Sequence, residues 1–217
     1  MRVRRIMSKY RISIEPLGKQ HELVTGFRKQ ILMGLYMNPY GAAANPLECA
    51  FHGLCKDNTN QKVLAWNEWF FYDQLFNDYS EALYCKNSTL EKYAPLDRVI
   101  HHRSSYVLPE YRRSFIFFDM VLACATGSKM LGAKYCTVST LQSDHFLIQL
   151  YLALGFKELG LFPVEGRQHR LLIVPVEHVL AHARLKKAAK LFQINELHLR
   201  KTRSLSRVQS LPVAAGK

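Results

Sequence analysis

The sequence is short of acid: its 217 residues hold 17 Asp and Glu against 30 Lys and Arg, a formal net charge of +13. An excess of that size draws the chain toward something anionic, whether nucleic acid, an anionic membrane surface or an acidic protein, and does not choose among them. Much of it lies late, in Arg184, Lys186, Lys187, Lys190, Arg200, Lys201, Arg203 and Arg207, a pattern that a solvated helix face followed by a basic tail also explains. No apolar run approaches the roughly 18 to 20 residues of a membrane-spanning helix. The basic stretch from Met1 to Arg11 lacks the apolar core of a signal peptide, so a cytoplasmic protein is expected. Cys-x-x-Cys spacing is missing as well. Cys49, Cys55, Cys85, Cys124 and Cys136 are odd in number, which argues against a disulfide framework and against structural zinc. No metal site is expected, and the adjacent pair His101 and His102 does not supply one, because neighbouring strand residues diverge. No internal repeat is present, and the basic tail is not interleaved with the aromatics that stack on single-stranded nucleic acid.

What is present is apolar at 48% of positions, with 12% aromatics, enough for one packed core and too much for wholesale disorder. One domain over residues 1–199 that ends in a basic helix, and a disordered basic tail over 200–217, are expected. Ile12 and Ile14 alternate with polar neighbours between Tyr10 and Pro16, the period of a strand. Leu23, Phe27, Ile31 and Leu35 mark one face of a helix from Gln20 to Met37, broken by Asn38-Pro39-Tyr40-Gly41. Cys49 to Cys55 and Lys62 to Phe71 read as paired strands about the polar turn Asp57-Asn58-Thr59-Asn60. From Tyr72 to Leu96 no period holds, and the segment reads as an irregular excursion. Strand character returns from Arg98 to Leu108, and a helix follows from Glu110 to Leu131, with Gly127 a point where it divides or ends early. A strand from Tyr135 to Thr140, a helix capped by Asp144 and running to Leu154, a last strand from Arg170 to Val176 and a basic helix from His178 to Leu199 complete the reading. The fold class is α/β (α+β), a mixed sheet flanked by helices.

The stretch from Val107 to Phe156 is the most informative. It opens Val107-Leu108-Pro109-Glu110-Tyr111-Arg112-Arg113 and closes Asp144 through Leu150-Tyr151-Leu152-Ala153-Leu154-Gly155-Phe156. It resembles the core of the GCN5-related N-acyltransferase superfamily, in which a Val-x-Pro strand end, an Arg-containing turn and a Tyr-x-x-x-Gly-Phe helix form the acyl-donor site. The resemblance covers Tyr10 to Glu177 and implies a mostly antiparallel central sheet splayed between its fourth and fifth strands. It implies Tyr151 as the general acid that protonates a leaving thiolate; from the residues alone, Tyr151 is equally an amphipathic-helix tyrosine. It implies a backbone N–H near Tyr106, Val107 and Leu108 for the developing oxyanion. Those three residues, with Phe115, are expected along the acyl-pantetheine arm, and Arg112 and Arg113 at its phosphate or at a carrier protein. Two arginines on a solvated first turn are the plainer reading.

Where the superfamily has Arg/Gln-x-x-Gly-x-Gly/Ala, this chain has Arg112-Arg113-Ser114-Phe115-Ile116-Phe117. A pyrophosphate needs close approach to backbone without Cβ atoms, so Phe115 and Phe117 speak against coenzyme A. A pantetheine arm borne on acyl carrier protein carries one phosphodiester and no nucleotide, and such carriers are acidic, which suits the charge. No bound cofactor is expected; the donor is the acyl-phosphopantetheine of the carrier.

Ile100-His101-His102-Arg103-Ser104-Ser105-Tyr106-Val107-Leu108-Pro109-Glu110-Tyr111-Arg112-Arg113 is similar to the Glu-x-Ser-Arg-Leu-x-Val-x-Pro-x-Tyr-Arg-Arg pattern of two carrier-dependent families, the acyl-homoserine lactone synthases and the N-acyl amino acid synthases known from environmental DNA. Aligned on Val107, His101 takes the place of the glutamate and Arg103 sits one residue before the family arginine. The acidic second-strand pair of the lactone synthases is absent from Cys49 to Cys55, so the N-acyl tyrosine synthase type is the better match. That resemblance implies transfer of a long acyl chain to the amine of a free amino acid, tyrosine favoured, in natural product biosynthesis. Strand alternation puts His101, Arg103 and Ser105 on one face and His102, Ser104 and Tyr106 on the other, and Trp66, Glu68 and Phe70 on one face of the preceding strand. Arg103, Trp66 and Ser105 are then the acceptor-binding candidates, with His101 or Glu68 the base. The competing expectations are an acyl-homoserine lactone synthase, a coenzyme A-dependent acetyltransferase and, from another class, a basic nucleic-acid-binding protein.

Overall fold

The computed structural model describes residues 10–15, 51–72, 90–164, 167–196 and 199–200. The expected helix from Gln20 to Met37, residues 73–89 of the excursion, the tail from residue 201 and the side chain of Arg103 lie outside the described part.

Strands β1 (Tyr10–Glu15), β2 (Phe51–Asp57), β3 (Val63–Phe71), β4 (Val99–Val107), β5 (Tyr135–Leu141), β6 (Lys157–Val164), β7 (Arg167–Pro175) and β8 (Phe192–Ile194) form one eight-stranded sheet in the order β6-β7-β5-β4-β3-β2-β1-β8. Among the described residues, only β4 with β5 and β1 with β8 run parallel; the other pairings are antiparallel. β3 lies near the middle and is buried along its whole length. Its Val, Trp and Phe content suits a strand covered on both faces.

Helices α1 (Ile116–Met130), α2 (His145–Ala153), α3 (Val176–Leu180) and α4 (Leu185–Ala188) put buried apolar side chains into the main core, which lies over one face of the sheet. α1 lies across β1, β2 and β3, with Ile116, Met120, Leu122 and Cys124 fully buried. Each such aliphatic side chain contributes about 1.5–3 kcal/mol by leaving water. Gly127 does not divide α1; it lets the helix sit close on β1, where a Cβ would lie 3.3 Å from Ile14. The helix stops at Gly132, whose φ of 84° gives the left-handed turn of a Schellman ending, with Ala133 N–H donating to Ser128 O at 3.0 Å. On the opposite face, Tyr72, Leu90 and Ala94 close over Val99 and Ile173.

Two sequence expectations are corrected. Lys157 to Val164 is a strand the reading missed; it forms a hairpin with β7, which begins at Arg167 rather than Arg170. The basic helix from His178 to Leu199 is broken into α3, α4 and the short strand β8, which pairs parallel to β1 through Ile12 and Phe192. Two tertiary demands override helix propensity there. The outer edge of β1 takes a strand, which satisfies backbone groups that an open edge leaves exposed. Arg184, in the turn before α4, is drawn inward to Asp119 on α1: its Nη2 donates to Oδ2 at 2.8 Å, and Tyr10 Oη donates to the same oxygen at 2.6 Å.

Candidate active site

The site is a fork in the sheet. The parallel ladder between β4 and β5 runs from Val99 opposite Tyr135 to His102 opposite Val138 and no further. Beyond it β4 follows β3 and β5 follows β7, so the two strands part, as expected between the fourth and fifth strands. The cause is local. Trp69 pairs with His102 and Glu68 with Ser104, which leaves Arg103 as the extra residue of a bulge. A bulge bends its strand and increases its twist, and this one bends β4 where β5 leaves it.

The bulge also corrects the alternation. Ser105 now pairs with Asn67 and shares a face with Trp69 and His102, while His101 pairs with Phe70 and shares the opposite face with Glu68 and Trp66. The expected trio of His101, Arg103 and Ser105 on one face is therefore split. His101, Glu68 and Trp66 do come together, and all three are buried. His101 Nδ1 lies 2.9 Å from Thr137 Oγ1 on β5. Trp66 Nε1–H donates to His52 Nδ1 at 3.2 Å, which makes that nitrogen an acceptor and adds His52, a residue the sequence did not single out, to this buried polar face.

Along the fork the backbone of β4 is oriented by its ladder to β3. Leu108 N–H donates to Leu64 O at 2.9 Å, so it is already engaged. Peptide groups alternate along an antiparallel ladder, and those of Val107 turn to the β5 side. There the Val107 carbonyl accepts from Arg112 Nε at 3.1 Å, and the Arg112 guanidinium lies 5.4 Å from the Tyr106 ring centroid. Arg112 thus lies back along β4, and both Arg112 and Arg113 are exposed.

Tyr151 reaches the base of the fork from α2. Asp144 caps that helix by accepting Leu147 N–H at 3.0 Å. Gly155, at φ 85°, ends it, with Phe156 N–H donating to Tyr151 O at 3.1 Å. The Tyr-x-x-x-Gly-Phe motif is therefore a helix stop that folds Phe156 back onto Tyr151, ring centroids 5.1 Å apart. The Tyr151 side chain is 1% exposed, and its hydroxyl lies 2.8 Å from Nδ1 of His102, the last residue of the β4–β5 ladder. Desolvation holds its pKa well above the ordinary tyrosine value, so the phenol is protonated at neutral pH. The amphipathic tyrosine reaching water is not what the fold contains.

The two phenylalanines of the glycine-poor turn diverge. Phe117 points inward, its ring 5.7 Å from Tyr151 and 6.4 Å from His102, so it does not crowd the turn. Phe115, before the first turn of α1, is 56% exposed, with the Arg184 guanidinium 3.8 Å from its ring centroid. His102 and Phe117 are the site neighbours the sequence reading missed. No local sequence signal marks them, because their approach to Tyr151 is set by packing between residues far apart in the chain. Cys55, Cys124 and Cys136 are buried; desolvation raises their thiols, Cys136 up to about 12, so none is poised as a nucleophile.

No family model and no curated protein matches this chain. Among solved structures, it is similar to a coenzyme A-dependent acyl-homoserine lactone synthase bound to S-adenosylmethionine and isopentyl-coenzyme A, at 10% identity over 92% of this chain and 99% of that one, with a TM-score of 0.62. A Salmonella typhimurium protein described as an acetyltransferase, with acetyl-coenzyme A, aligns at 11% identity over 79% of this chain and 96% of its own, TM-score 0.52. The Escherichia coli ribosomal-protein-S18-alanine N-acetyltransferase aligns at 13% identity over 76% and 94%, TM-score 0.51. Its forked sheet, its Tyr151 helix and these likenesses give the chain the fold of the GCN5-related N-acyltransferases.

Proposed function

We propose that the protein is an N-acyltransferase that moves a long acyl chain from an acyl carrier protein thioester to the amine of a free amino acid, tyrosine favoured. The observation that carries this reading is the fork between β4 and β5 with a buried, protonated phenol at its base. In this reading the thioester lies along β4, its carbonyl oxygen toward the Val107 N–H, and its sulfur toward Tyr151. The acceptor approaches from the opposite face, where Trp66, Glu68 and His101 are buried; Arg103 is the candidate partner for its carboxylate. The amine attacks the carbonyl carbon, the C–S bond breaks with its electron pair on sulfur, and Tyr151 protonates the thiolate. His101 or Glu68 takes the proton the amine loses.

The carrier protein as donor is supported by Phe115, whose exposed ring occupies the surface at the start of α1, and by the basic turn. Arg113 is the docking candidate. Arg113→Glu should raise the Michaelis constant for the acidic carrier severalfold at low salt and flatten its salt dependence; an unchanged constant removes Arg113 from the docking surface. Coenzyme A is the second reading, favoured by the inward turn of Phe117. Incubation with long-chain acyl carrier protein, or separately with acyl-coenzyme A, and a pool of amino acids, followed by mass spectrometry, tests both. An amide formed from the carrier thioester is expected. An amide from coenzyme A alone selects the second reading, and no amide from either, with folded protein, rejects acyl transfer.

A further inference from the structure

We infer that His102 is the positioning residue for Tyr151: its Nδ1–H donates to the phenolic oxygen, which leaves the phenolic hydrogen directed at the departing sulfur. The inference rests on the acyl-transfer reading of the same fork.

The hydrogen bond is 2.8 Å long, and both partners are buried, His102 at 2% exposure. The imidazole is clamped. It stacks on Trp69 at 4.5 Å between centroids and 4° between planes, and Phe117 flanks it at 6.4 Å. It sits on the last rung of the β4–β5 ladder, next to the Arg103 bulge, so the feature that opens the fork also fixes where this ring stands.

One hydrogen bond between a phenol and an imidazole nitrogen can run in either direction. If Tyr151 donates, its proton is held by His102, and the phenol has none to give to sulfur. If Nδ1–H donates, the phenolic hydrogen is available and the oxygen that must become anionic already faces a donor. The second arrangement alone fits a general acid in this apolar setting, where desolvation opposes the phenolate. The step then balances. The sulfur takes the electron pair of the C–S bond and the Tyr151 proton, and the phenolate is held by Nδ1–H without proton transfer from the ring. Once product leaves, solvent reprotonates the phenolate while His101 or Glu68 returns the amine's proton to solvent. A neutral imidazole suffices, and no imidazolium or imidazolate is needed.

Three measurements on the full chain test this. His102→Phe keeps a flat ring against Trp69 and removes the donor; His102→Asn keeps an N–H near the position of Nδ1. With an alkyl thioester of the pantetheine type, His102→Phe should lose turnover on the order of 10²-fold, while His102→Asn stays within about tenfold of the parent. With an aryl thioester, whose thiolate leaves without protonation, His102→Phe should lose less than about threefold. Equal loss on both thioesters in a folded variant, or no loss on either, overturns the inference. Imidazole 15N shifts of the unaltered protein should show Nδ1 protonated, and an unprotonated Nδ1 overturns it whatever the turnover. If the unaltered protein acylates no amine from any thioester, the acyl-transfer reading fails, and the 15N shifts still decide the direction of the hydrogen bond.

Discussion

Tyr151→Phe should lower kcat on the order of 10²- to 10³-fold with little change in the Michaelis constants, because it deletes the proton donor and leaves the pocket's shape intact. The ring remains wedged among Phe117, Phe156 and His102, and the caps of α2 at Asp144 and Gly155 are untouched. Loss of the hydroxyl from the His102 hydrogen bond should cost about 1–3 kcal/mol of stability, the desolvation penalty of a buried polar group left without its partner. Steady-state kinetics with an alkyl thioester donor, beside a thermal melt, separate the two effects. A folded variant with unchanged kcat would remove Tyr151 from the chemistry and, with it, the proposed role of His102.

The second large effect concerns stability. Arg184→Ala should destabilise the protein by about 3–5 kcal/mol, because it strands the Asp119 carboxylate in the interior. Asp119 is fully buried, and its oxygens accept from Arg184 Nε and Nη2 and from Tyr10 Oη. Arg184 itself is only 13% exposed. For a chain of this size the loss corresponds to a drop in Tm of about 6–20 °C. Adding Asp119→Asn should recover part of the loss, since the stranded charge is then gone. A melting curve unchanged in the single variant would mean that water reaches the carboxylate. The same change frees the Phe115 ring from its cation, so carrier docking should be measured on variants that keep Arg184.

The early part of the sheet was legible because its signals are local. The alternation of Ile12 and Ile14 and the polar turn at Asp57 to Asn60 gave β1 and the β2–β3 hairpin. Asp144 announced its helix because a side-chain cap is a property of a single turn of chain, here Asp144 to Leu147. The Lys157 to Val164 strand was missed because Gly160 and Pro163 interrupt its period, and its place is set by pairing with β7 rather than by its own residues. The terminal basic segment read as a helix because Lys and Arg favour one; the edge of β1 and the Asp119 carboxylate outweigh that preference.

The site divides in the same way. Tyr151, Val107, Pro109 and Arg112 could be singled out because their chemistry is tied to sequence spacing: a helix stop four residues after the tyrosine, and a turn at the strand end. Which side chains meet on each face could not be read, because period-two reasoning assumes an unbroken strand. The bulge at Arg103 breaks it, sending Ser105 to the face of His102 and keeping His101 with Glu68. The divergence of Phe115 and Phe117 likewise depends on which side of α1 meets the core. The sequence by itself determined the order of the elements, the identity of the motif tyrosine and the glycine-poor basic turn, since each rests on neighbours along the chain. The tertiary structure alone decided the Arg103 bulge that opens the fork, the His102 partner of Tyr151 and the burial of Asp119, since each depends on register and packing between residues far apart in sequence.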